Sequence, residues 1–271
     1  MSDTAIRVTI CGSAGRMGKA NVEVFSTDSD TIVVGAIETQ GCPLLGQDAG
    51  SVAGLGTLGV PLTDSLQDVL ENTDVVIDFT NPAASLKHIQ LARAHVKAVV
   101  VGTTGFSDQE LEKIREQAQY IPIVQSPNMS LGVNTLFHLV GQAATILGED
   151  FDAEIVEIHH NLKKDAPSGT ALQFGRVISE ARGKNLKELG VYGREGLVGE
   201  RKKDEIGIMA IRLADVVGDH CIIFGGAGER IEFIHRNSSR KTYARGALRA
   251  AKFVVGKKQG FYTMADVLGL K

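Results

Sequence analysis

The first 38 residues have the pattern of a strand, a glycine-rich turn, a helix and a second strand, and this order restricts the fold more than any other feature. Residues 5–11 (AIRVTIC) are a short β-rich run, GSAGRMG follows, and residues 16–25 are suited to a helix. A second β-branched run, TIVVGAI at 31–37, ends beside Glu38. This order is typical of a dinucleotide-binding βαβ unit and predicts a parallel sheet covered by helices.

The turn contains Gly12, Gly15 and Gly18, spaced G-x-x-G-x-x-G instead of the more common G-x-G-x-x-G. Gly12 can turn tightly after the strand, Gly15 lets the backbone approach a pyrophosphate at the helix N-terminus, and Gly18 permits close helix–strand packing. The carboxylate of Glu38 can accept hydrogen bonds from the ribose hydroxyls of an adenosine. We therefore predict dinucleotide binding, with an ordinary strand–helix turn as the alternative.

Strands and helices continue to alternate up to about residue 126. The pattern predicts further strands at 74–79, 97–102 and 121–126, and helices at 81–95 and 107–119. Ligands of a doubly wound sheet bind at the carboxyl ends of its strands. The residues at those ends are small or carry amides, so they can approach a cofactor closely: 79–81, 102–105 and 126–129. The segment 39–65 has little periodicity and is predicted to be a surface loop.

The second half has a different pattern, which predicts a separate α+β domain with a mixed or antiparallel sheet. The predicted elements are a helix at 130–147, strands at 151–160, 206–213, 220–225 and 230–235, and a final helix at 242–256. The predicted fold is therefore α/β, with an N-terminal Rossmann-like doubly wound parallel sheet followed by this second domain.

Residues 157–171, EIHHNLKKDAPSGTA, place two histidines and two lysines just before a predicted helix start at 167–170. A helix N-terminus favours an anion, and the hydroxyls of Ser168 and Thr170 add donors. We interpret the stretch as an anion site with Lys163 as a proton donor. Two alternatives are a basic edge exposed to solvent and a metal site, although adjacent strand residues such as His159 and His160 point to opposite faces.

Composition limits the classes of partner. Lysine and arginine number 29 against 32 acidic residues, a balance that argues against bulk binding of nucleic acid or membrane. The three cysteines suggest neither a disulfide framework nor a thiolate metal site, so we expect no metal. The N-terminus has no long apolar signal region, and we expect a cytoplasmic protein. A chain of 271 residues suggests about two domains.

Residues 157–171 resemble the signature E-x-H-H-x-x-K-x-D-x-P-S-G-T-A of the 4-hydroxy-tetrahydrodipicolinate reductase (dihydrodipicolinate reductase) family. Other motifs agree along the chain: GSAGRMG, DFTNP, VGTTGF, SPNMSLGVN, YGREG, GER, DVVGDH, GERIE and SSR. The resemblance thus extends over essentially the whole sequence. It implies a step of lysine and diaminopimelate synthesis, in which NADH or NADPH reduces a cyclic dicarboxylate, 4-hydroxy-tetrahydrodipicolinate, to tetrahydrodipicolinate with loss of water.

The resemblance also assigns residues. It implies that His159 is the acid/base residue and Lys163 the proton donor. The substrate carboxylates would be held by His160, Lys163, Ser168, Gly169, Thr170 and Arg240. The cofactor would be held by Gly12, Ser13, Ala14, Gly15, Arg16, Met17, Glu38, Gly102, Thr103, Thr104, Ser126, Pro127, Asn128 and Met129. A homotetramer is implied, with residues 1–129 and 241–271 forming the dinucleotide-binding domain and 130–240 the substrate-binding and oligomerisation domain.

One departure from the family concerns the cofactor. Many relatives have a basic residue directly after the ribose-binding acid, whereas Glu38 is followed by Thr39 and Gln40. Since Glu38 would repel a 2′-phosphate, we predict a preference for NADH, with NADPH still used. Two other classes of protein compete: another Rossmann oxidoreductase acting on a small dicarboxylate, and a non-catalytic nicotinamide-dinucleotide-sensing protein. The presence of both His159 and Lys163 favours an enzyme.

Overall fold

A computed structural model describes residues 5–270, which divide into two compact units. Unit 1 comprises the residues up to Leu131 together with those from Arg240 onward, and unit 2 comprises Gly132–Ser239. The assignment of the cofactor to one predicted domain and of the substrate and oligomer contacts to the other stays a prediction.

The strands are numbered in chain order. They are β1 (Ile6–Cys11), β2 (Thr31–Ile37), β3 (Leu62–Thr63), β4 (Val75–Asp78), β5 (Ala98–Val101), β6 (Pro122–Gln125), β7 (Asp152–His159), β8 (Gly190–Val191), β9 (Ile206–Arg212), β10 (Gly218–Gly226), β11 (Glu229–Asn237) and β12 (Gly260–Tyr262). The predicted strands correspond to β1, β2, β4 to β7 and β9 to β11. The short strands β3, β8 and β12 were not predicted.

The helices are numbered in the same way. They are α1 (Arg16–Thr27), α2 (Ala49–Ala53), α3 (Pro82–Ala94), α4 (Asp108–Ala118), α5 (Leu131–Leu147), α6 (Gly169–Ala181), α7 (Leu186–Leu189), α8 (Lys241–Val254) and α9 (Met264–Leu268), with a 3-10 helix at Gln67–Asn72. Local capping explains two of the starts: Ser107 and Glu110 form a reciprocal capping box on α4, and Asn81 caps α3. Among the helices of residues 5–270, none is long and apolar enough to cross a membrane.

Unit 1 contains a seven-stranded sheet in the order β12-β6-β5-β4-β1-β2-β3, with parallel pairing throughout. The central strands are buried on both faces, which explains their continuous β-branched runs. Helix α8 contributes Ala247, Ala250, Ala251 and Val254 to the same core as β1 and β4. The predicted Rossmann-like fold is confirmed.

The prediction of a featureless surface loop at 39–65 is wrong in part, because this segment contains α2 and the edge strand β3. Asp48 organises it. Its carboxylate accepts hydrogen bonds from the backbone N–H groups of Ser51, Leu58, Gly59 and Val60. These bonds lower the pKa of Asp48 to about 2. One carboxylate thus fixes a segment that hydrophobic periodicity does not indicate.

Unit 2 contains a five-stranded mixed sheet in the order β11-β10-β7-β9-β8. Strand β10 runs antiparallel to β7 and β11, and β7 runs parallel to β9. This arrangement confirms the predicted class of sheet. Strand β7 alternates regularly, with every second residue buried from Ala153 to His159. The sequence itself shows no regular alternation of apolar and polar residues there, because two of the buried positions are occupied by the polar residues Glu157 and His159.

Candidate functional site

The turn after β1 has the geometry expected of a phosphate-binding turn. Gly12 adopts a φ of +72°, a left-handed conformation that favours glycine. The backbone N–H groups of Gly12 and Ser13 both donate to the carbonyl oxygen of Ile37, at 2.8 and 3.1 Å. A Cβ atom on Gly18 would overlap the backbone of Gly12 and Ser13. The glycine at position 18 is therefore what allows α1 to pack directly against the turn.

The start of α1 fits an anion. Gly15 is its N-cap and provides no side-chain cap, and no acidic residue lies in the first turn, which begins with Arg16 and Met17. The first N–H groups of a helix have no intrahelical partner, and the helix dipole makes this end positive. A pyrophosphate would satisfy both conditions.

The Glu38 carboxylate is fixed beside this turn. Oε1 accepts from the N–H of Ala14 at 2.7 Å, and Oε2 accepts from the N–H of Thr39 at 3.1 Å. Each carboxylate oxygen has about two lone-pair sites, so each can accept one more hydrogen bond. The arrangement suits a pair of ribose hydroxyls. The turn, the helix start and Glu38 are thus positioned to hold a dinucleotide within unit 1.

The other predicted cofactor residues follow β5 and β6. Gly102 donates its N–H to the carbonyl oxygen of Asp78 at 2.8 Å, Thr103 is buried, and Thr104 is exposed. After β6, Ser126 donates to the carbonyl oxygen of Asn128 at 2.8 Å, and Pro127 is exposed. The side chain of Met129 is 1% exposed and lies in the hydrophobic core of unit 1. A ligand could therefore contact Met129 only through its backbone.

Sequence reasoning missed a buried carboxylate at the end of β4. Oδ1 of Asp78 accepts from the hydroxyls of Thr80, Ser85 and Thr103, at 2.7, 2.9 and 3.0 Å, and from the N–H of Thr80 at 3.0 Å. Oδ2 lies 2.6 Å from Nδ1 of His88. Burial opposes ionisation, but His88 and the hydroxyls outweigh it and lower the pKa of Asp78. Asp78 thus joins the loops that follow β4 and β5.

The thiol of Cys11 lies near this carboxylate. Potential ligand atoms of Cys11, Asp78 and His88 all lie within 4.8 Å of one another. Burial, and then the negative charges of Asp78 and Glu38, raise the pKa of the Cys11 thiol well above its usual value. Since a metal binds the thiolate, and since Oδ1 of Asp78 accepts four hydrogen bonds while Oδ2 contacts His88, we assign the cluster to the hydrogen-bond network.

In unit 2, the polar site begins at the end of β7. Glu157 and His159 lie two residues apart on the same buried face of the strand, because side chains alternate between the faces. His159 Nδ1 is 2.5 Å from Glu157 Oε2. Glu157 is fully buried and His159 is 8% exposed. Strand alternation alone is the signal that could have linked these two residues from the sequence.

Two further groups hold Glu157 from neighbouring elements. Arg212, paired in register with His159 across β7 and β9, donates to both carboxylate oxygens at 3.0 and 3.1 Å. The N–H of Ser168 donates to Oε1 at 3.0 Å. Burial would raise the pKa of Glu157, but the hydrogen bonds from His159, Arg212 and Ser168 lower it to about 2. The site therefore has a fixed negative charge at its base.

His220 from β10 lies on the other side of the site. Its Nε2 is 3.2 Å from the hydroxyl of Ser168, and its ring packs edge-on to that of His159 with centroids 5.3 Å apart. Burial, and then the positive charge of His159, lower the pKa of His220 to about 3. His220 is therefore a neutral residue of the site.

The predicted substrate residues of unit 2 cluster around the start of α6. Ser168 is the N-cap, its hydroxyl accepting from the N–H of Ala171 at 3.1 Å, and Gly169 and Thr170 begin the helix. A Cβ atom on Gly169 would meet open space, so a ligand can approach the backbone there.

Lys163 donates to both carboxylate oxygens of Asp165 at 2.9 Å. His160 follows β7 directly. Of the predicted substrate residues, Arg240 alone lies in unit 1, before α8.

Comparisons with known proteins cover nearly all of the chain. The family model for the N-terminus of dihydrodipicolinate reductase matches residues 6–129, and the model for its C-terminus matches residues 132–268.

Individual relatives agree with the family models. The chain is 49% identical to a 4-hydroxy-tetrahydrodipicolinate reductase of Trichlorobacter lovleyi over 98% of this chain and 100% of that protein. It is 50% identical to that of Hahella chejuensis over 98% of this chain and 99% of the relative. A dipicolinate-bound dihydrodipicolinate reductase from Paenisporosarcina sp. TG-14 has a similar structure, with a TM-score of 0.74 and 25% identity over 97% of this chain and 98% of that one. This chain belongs to the dihydrodipicolinate reductase family.

Proposed function

We propose that this protein is an NAD(P)H-dependent oxidoreductase that reduces 4-hydroxy-tetrahydrodipicolinate to tetrahydrodipicolinate with loss of water, a step of lysine and diaminopimelate biosynthesis. The observation that carries the proposal is the identity of about half of the residues with curated reductases of that name over nearly the full length of both chains. The geometry of the two units supports it independently, with a dinucleotide-binding turn in unit 1 and a histidine–carboxylate pair beside a helix start in unit 2.

The bound dihydronicotinamide would supply the hydride. In unit 1 the turn at Gly12 to Met17 would hold the pyrophosphate, Glu38 the adenosine ribose, and Gly102 to Thr104 and Ser126 to Met129 the remainder of the cofactor. The first of these assignments is supported by the uncapped start of α1, where N–H groups and the helix dipole favour an anion.

In unit 2, His159 would act as acid/base residue and Lys163 as proton donor. Loss of the substrate hydroxyl as water takes up one proton on that oxygen and releases one from the neighbouring carbon. The reduction then consumes the hydride and one proton, so the reaction as a whole takes up one proton. Lys163 is held by Asp165 in this structure, so it would exchange this ion pair for the substrate during turnover. His160, Ser168, Gly169, Thr170 and Arg240 would hold the two carboxylates of the substrate through N–H and hydroxyl donors and positive charge.

The test is an absorbance assay with the substrate made in place. The preceding synthase condenses pyruvate with aspartate semialdehyde, and oxidation of NADH or NADPH is followed after this protein is added. We expect synthase-dependent oxidation, a fall of about 10²–10⁴-fold in kcat for Lys163→Ala, and nearly unchanged NADH binding. The exposed neighbour provides a matched control, because Lys164→Ala should retain the wild-type rate. Nucleotide binding without any oxidation would favour a sensor of nicotinamide dinucleotides and contradict the proposal.

We propose that NADH is preferred over NADPH. Glu38 is fixed toward the turn and is followed by the neutral residues Thr39 and Gln40, so a 2′-phosphate would meet a negative charge without an adjacent basic partner. The ratio of kcat/KM for the two cofactors tests this, and Thr39→Arg should shift that ratio toward NADPH. A wild-type preference for NADPH would contradict it.

We also propose a cytoplasmic homotetramer that assembles through unit 2. The support is the exposed apolar side chains on the face of its sheet that points away from the core, Ile211 on β9 and Ile234 on β11, with Leu213 just after β9. Light scattering of the purified protein would give its mass, and cell fractionation its location. A monomer at working concentration would contradict the assembly.

A further inference from the structure

We propose that Glu157 and Arg212 are positioning residues of the reductase site: they fix His159 with its Nδ1 hydrogen toward Glu157 and its Nε2 toward the substrate. The same carboxylate also holds the start of α6, so one residue sets both the proton-transfer group and the substrate cradle. The inference rests on the proposed function, since it assigns these roles for that reaction.

The first step is the ionisation of Glu157. Its carboxylate receives four hydrogen bonds, two on each oxygen, from Arg212 twice, from the N–H of Ser168 and from the ring of His159. Arg212 and the backbone N–H can only donate. The lone-pair sites of the carboxylate are thereby used, and no position is left for a proton of its own. The low pKa of Glu157, about 2, agrees with this geometry.

The second step is the tautomer of His159. An ionised carboxylate can only accept, so Nδ1 of His159 must carry the hydrogen in the 2.5 Å contact. In a neutral imidazole Nε2 is then the free acceptor, and in the protonated ring it is a second donor. Nε2 is therefore the nitrogen that exchanges a proton with the substrate, while Nδ1 stays fixed.

The third step is the surroundings of Nε2. A Cβ atom at position 218 would lie 2.9 Å from it, so Gly218 leaves room beside this nitrogen. The carbonyl oxygen of His159 accepts from the N–H of Leu213 at 2.8 Å, which fixes the backbone. Among the described residues, Glu157 on β7 and His220 on β10 contact the ring directly. Arg212 on β9 contacts Glu157 and the carbonyl oxygen of Asp165, and the positive charge of Lys163, which pairs with Asp165, acts on His220.

The fourth step connects Glu157 to the substrate cradle. Its Oε1 receives the N–H of Ser168, the N-cap of α6, and the Ser168 hydroxyl in turn contacts His220 Nε2. Arg212 also donates to the carbonyl oxygen of Asp165 at 2.6 Å, in the same segment. An amide at position 157 has one acceptor oxygen, so it would leave two of the four donors without an acceptor and would no longer fix the His159 tautomer.

The main test is Glu157→Gln, which keeps the size of the side chain and removes its charge. We expect kcat to fall about 10²–10⁴-fold, as for other histidines deprived of their orienting carboxylate. The affinity for NADH, measured by fluorescence titration, should stay within about twofold because unit 1 is unchanged. Nitrogen NMR of the histidine rings should show His159 as the Nδ1–H tautomer in the wild type and as a mixture in the variant.

The chain provides a matched control on the same strand. Glu154 is also held by two arginines, Arg194 and Arg201, but it does not contact His159. Glu154→Gln should therefore keep kcat within about twofold of the wild type. An equal fall in both variants, or a Glu157→Gln variant with nearly wild-type kcat, would overturn the inference.

A second pair of variants distinguishes positioning from a merely structural role. Arg212→Gln removes the guanidinium, which supplies two of the four hydrogen bonds to Glu157, so the Nδ1–H tautomer of His159 should become less populated and kcat should fall at least about tenfold. Arg212→Lys keeps the positive charge and should retain more of both the tautomer and kcat than Arg212→Gln does. An unchanged His159 tautomer together with an unchanged kcat in Arg212→Gln would contradict the inference. If the wild type shows no reductase activity, the proposed function fails, whereas the NMR tautomer still tests the role of Glu157.

Discussion

Protonation of His220 should destabilise the folded protein, and the size of the effect follows from its burial. The residue is 4% exposed and lies beside the positive charge that His159 can carry. Its pKa falls from the ordinary 6.5 to about 3 in the folded protein. Between these values the unfolded chain binds a proton that the folded chain does not, so the free energy of unfolding falls as the pH drops below 6.5.

The magnitude depends on the unfolded pKa alone while the pH stays well above the folded value. Lowering the pH from about 7.5 to about 5 makes protonation of an ordinary histidine favourable by about 2 kcal/mol, and the unfolded state gains all of it. His220→Gln removes the titration and retains an amide that can bond to the hydroxyl of Ser168. The variant should therefore lose about 2 kcal/mol less stability than the wild type over this interval.

Urea unfolding followed by circular dichroism, at both pH values and one protein concentration, measures the two losses. The wild type and the variant share all other titrating groups, so the difference between their two losses of unfolding free energy reports the titration of His220. Equal losses in wild type and His220→Gln would refute the reasoning, since His220 would then titrate alike in both states.

Three further substitutions test packing. Asn21 is fully buried, and neither polar atom of its side chain has a hydrogen-bond partner within the described residues. Asn21→Leu should therefore raise the free energy of unfolding, measured in urea, by about 1–3 kcal/mol. A loss of stability would contradict this prediction. Gly218→Ala should push the His159 ring aside and lower kcat about tenfold or more, whereas Gly193→Ala, which meets open space, should not. Gly18→Ala should weaken NADH binding at least about tenfold in fluorescence titration, because the new methyl group displaces the turn after β1. An unchanged affinity would contradict the claim that the turn needs a glycine at position 18.

Much of the fold could be predicted because its elements are locally specified. The βαβ order, the capping box at Ser107 and the β-branched runs each identify one element without reference to the rest of the chain. The short strands β3 and β12 could not, since two or three residues carry no periodicity and depend on pairing with β2 and β6. The segment around Asp48 was missed because a single side chain orders it.

The site was predicted only where the motif itself contains the residues. His159, Lys163 and Glu157 all lie in the block that resembles the family signature. The resemblance gives roles to His159 and Lys163, whereas the role of Glu157 follows from the alternation of side chains along β7. Arg212 could not be predicted, because only the parallel register of β7 and β9 brings it to His159. Asp78 was not predicted as a site residue because it lies within the predicted strand 74–79. A buried carboxylate at the end of an apolar strand nevertheless needs hydrogen-bond donors around it.

The order of the elements has a consequence for synthesis on the ribosome. Unit 2 is continuous in sequence, so all of its strands have been made before the last 32 residues of the chain. Unit 1 needs those residues, because α8 fills its core and β12 forms the edge of its sheet beyond β6. The nascent unit 1 therefore lacks one helix and one edge strand until α8 and β12 have been made, and chains released before that point would expose apolar surface to chaperones and proteases. Synthesis of α8 and β12 is thus required before the first segment made can close its core.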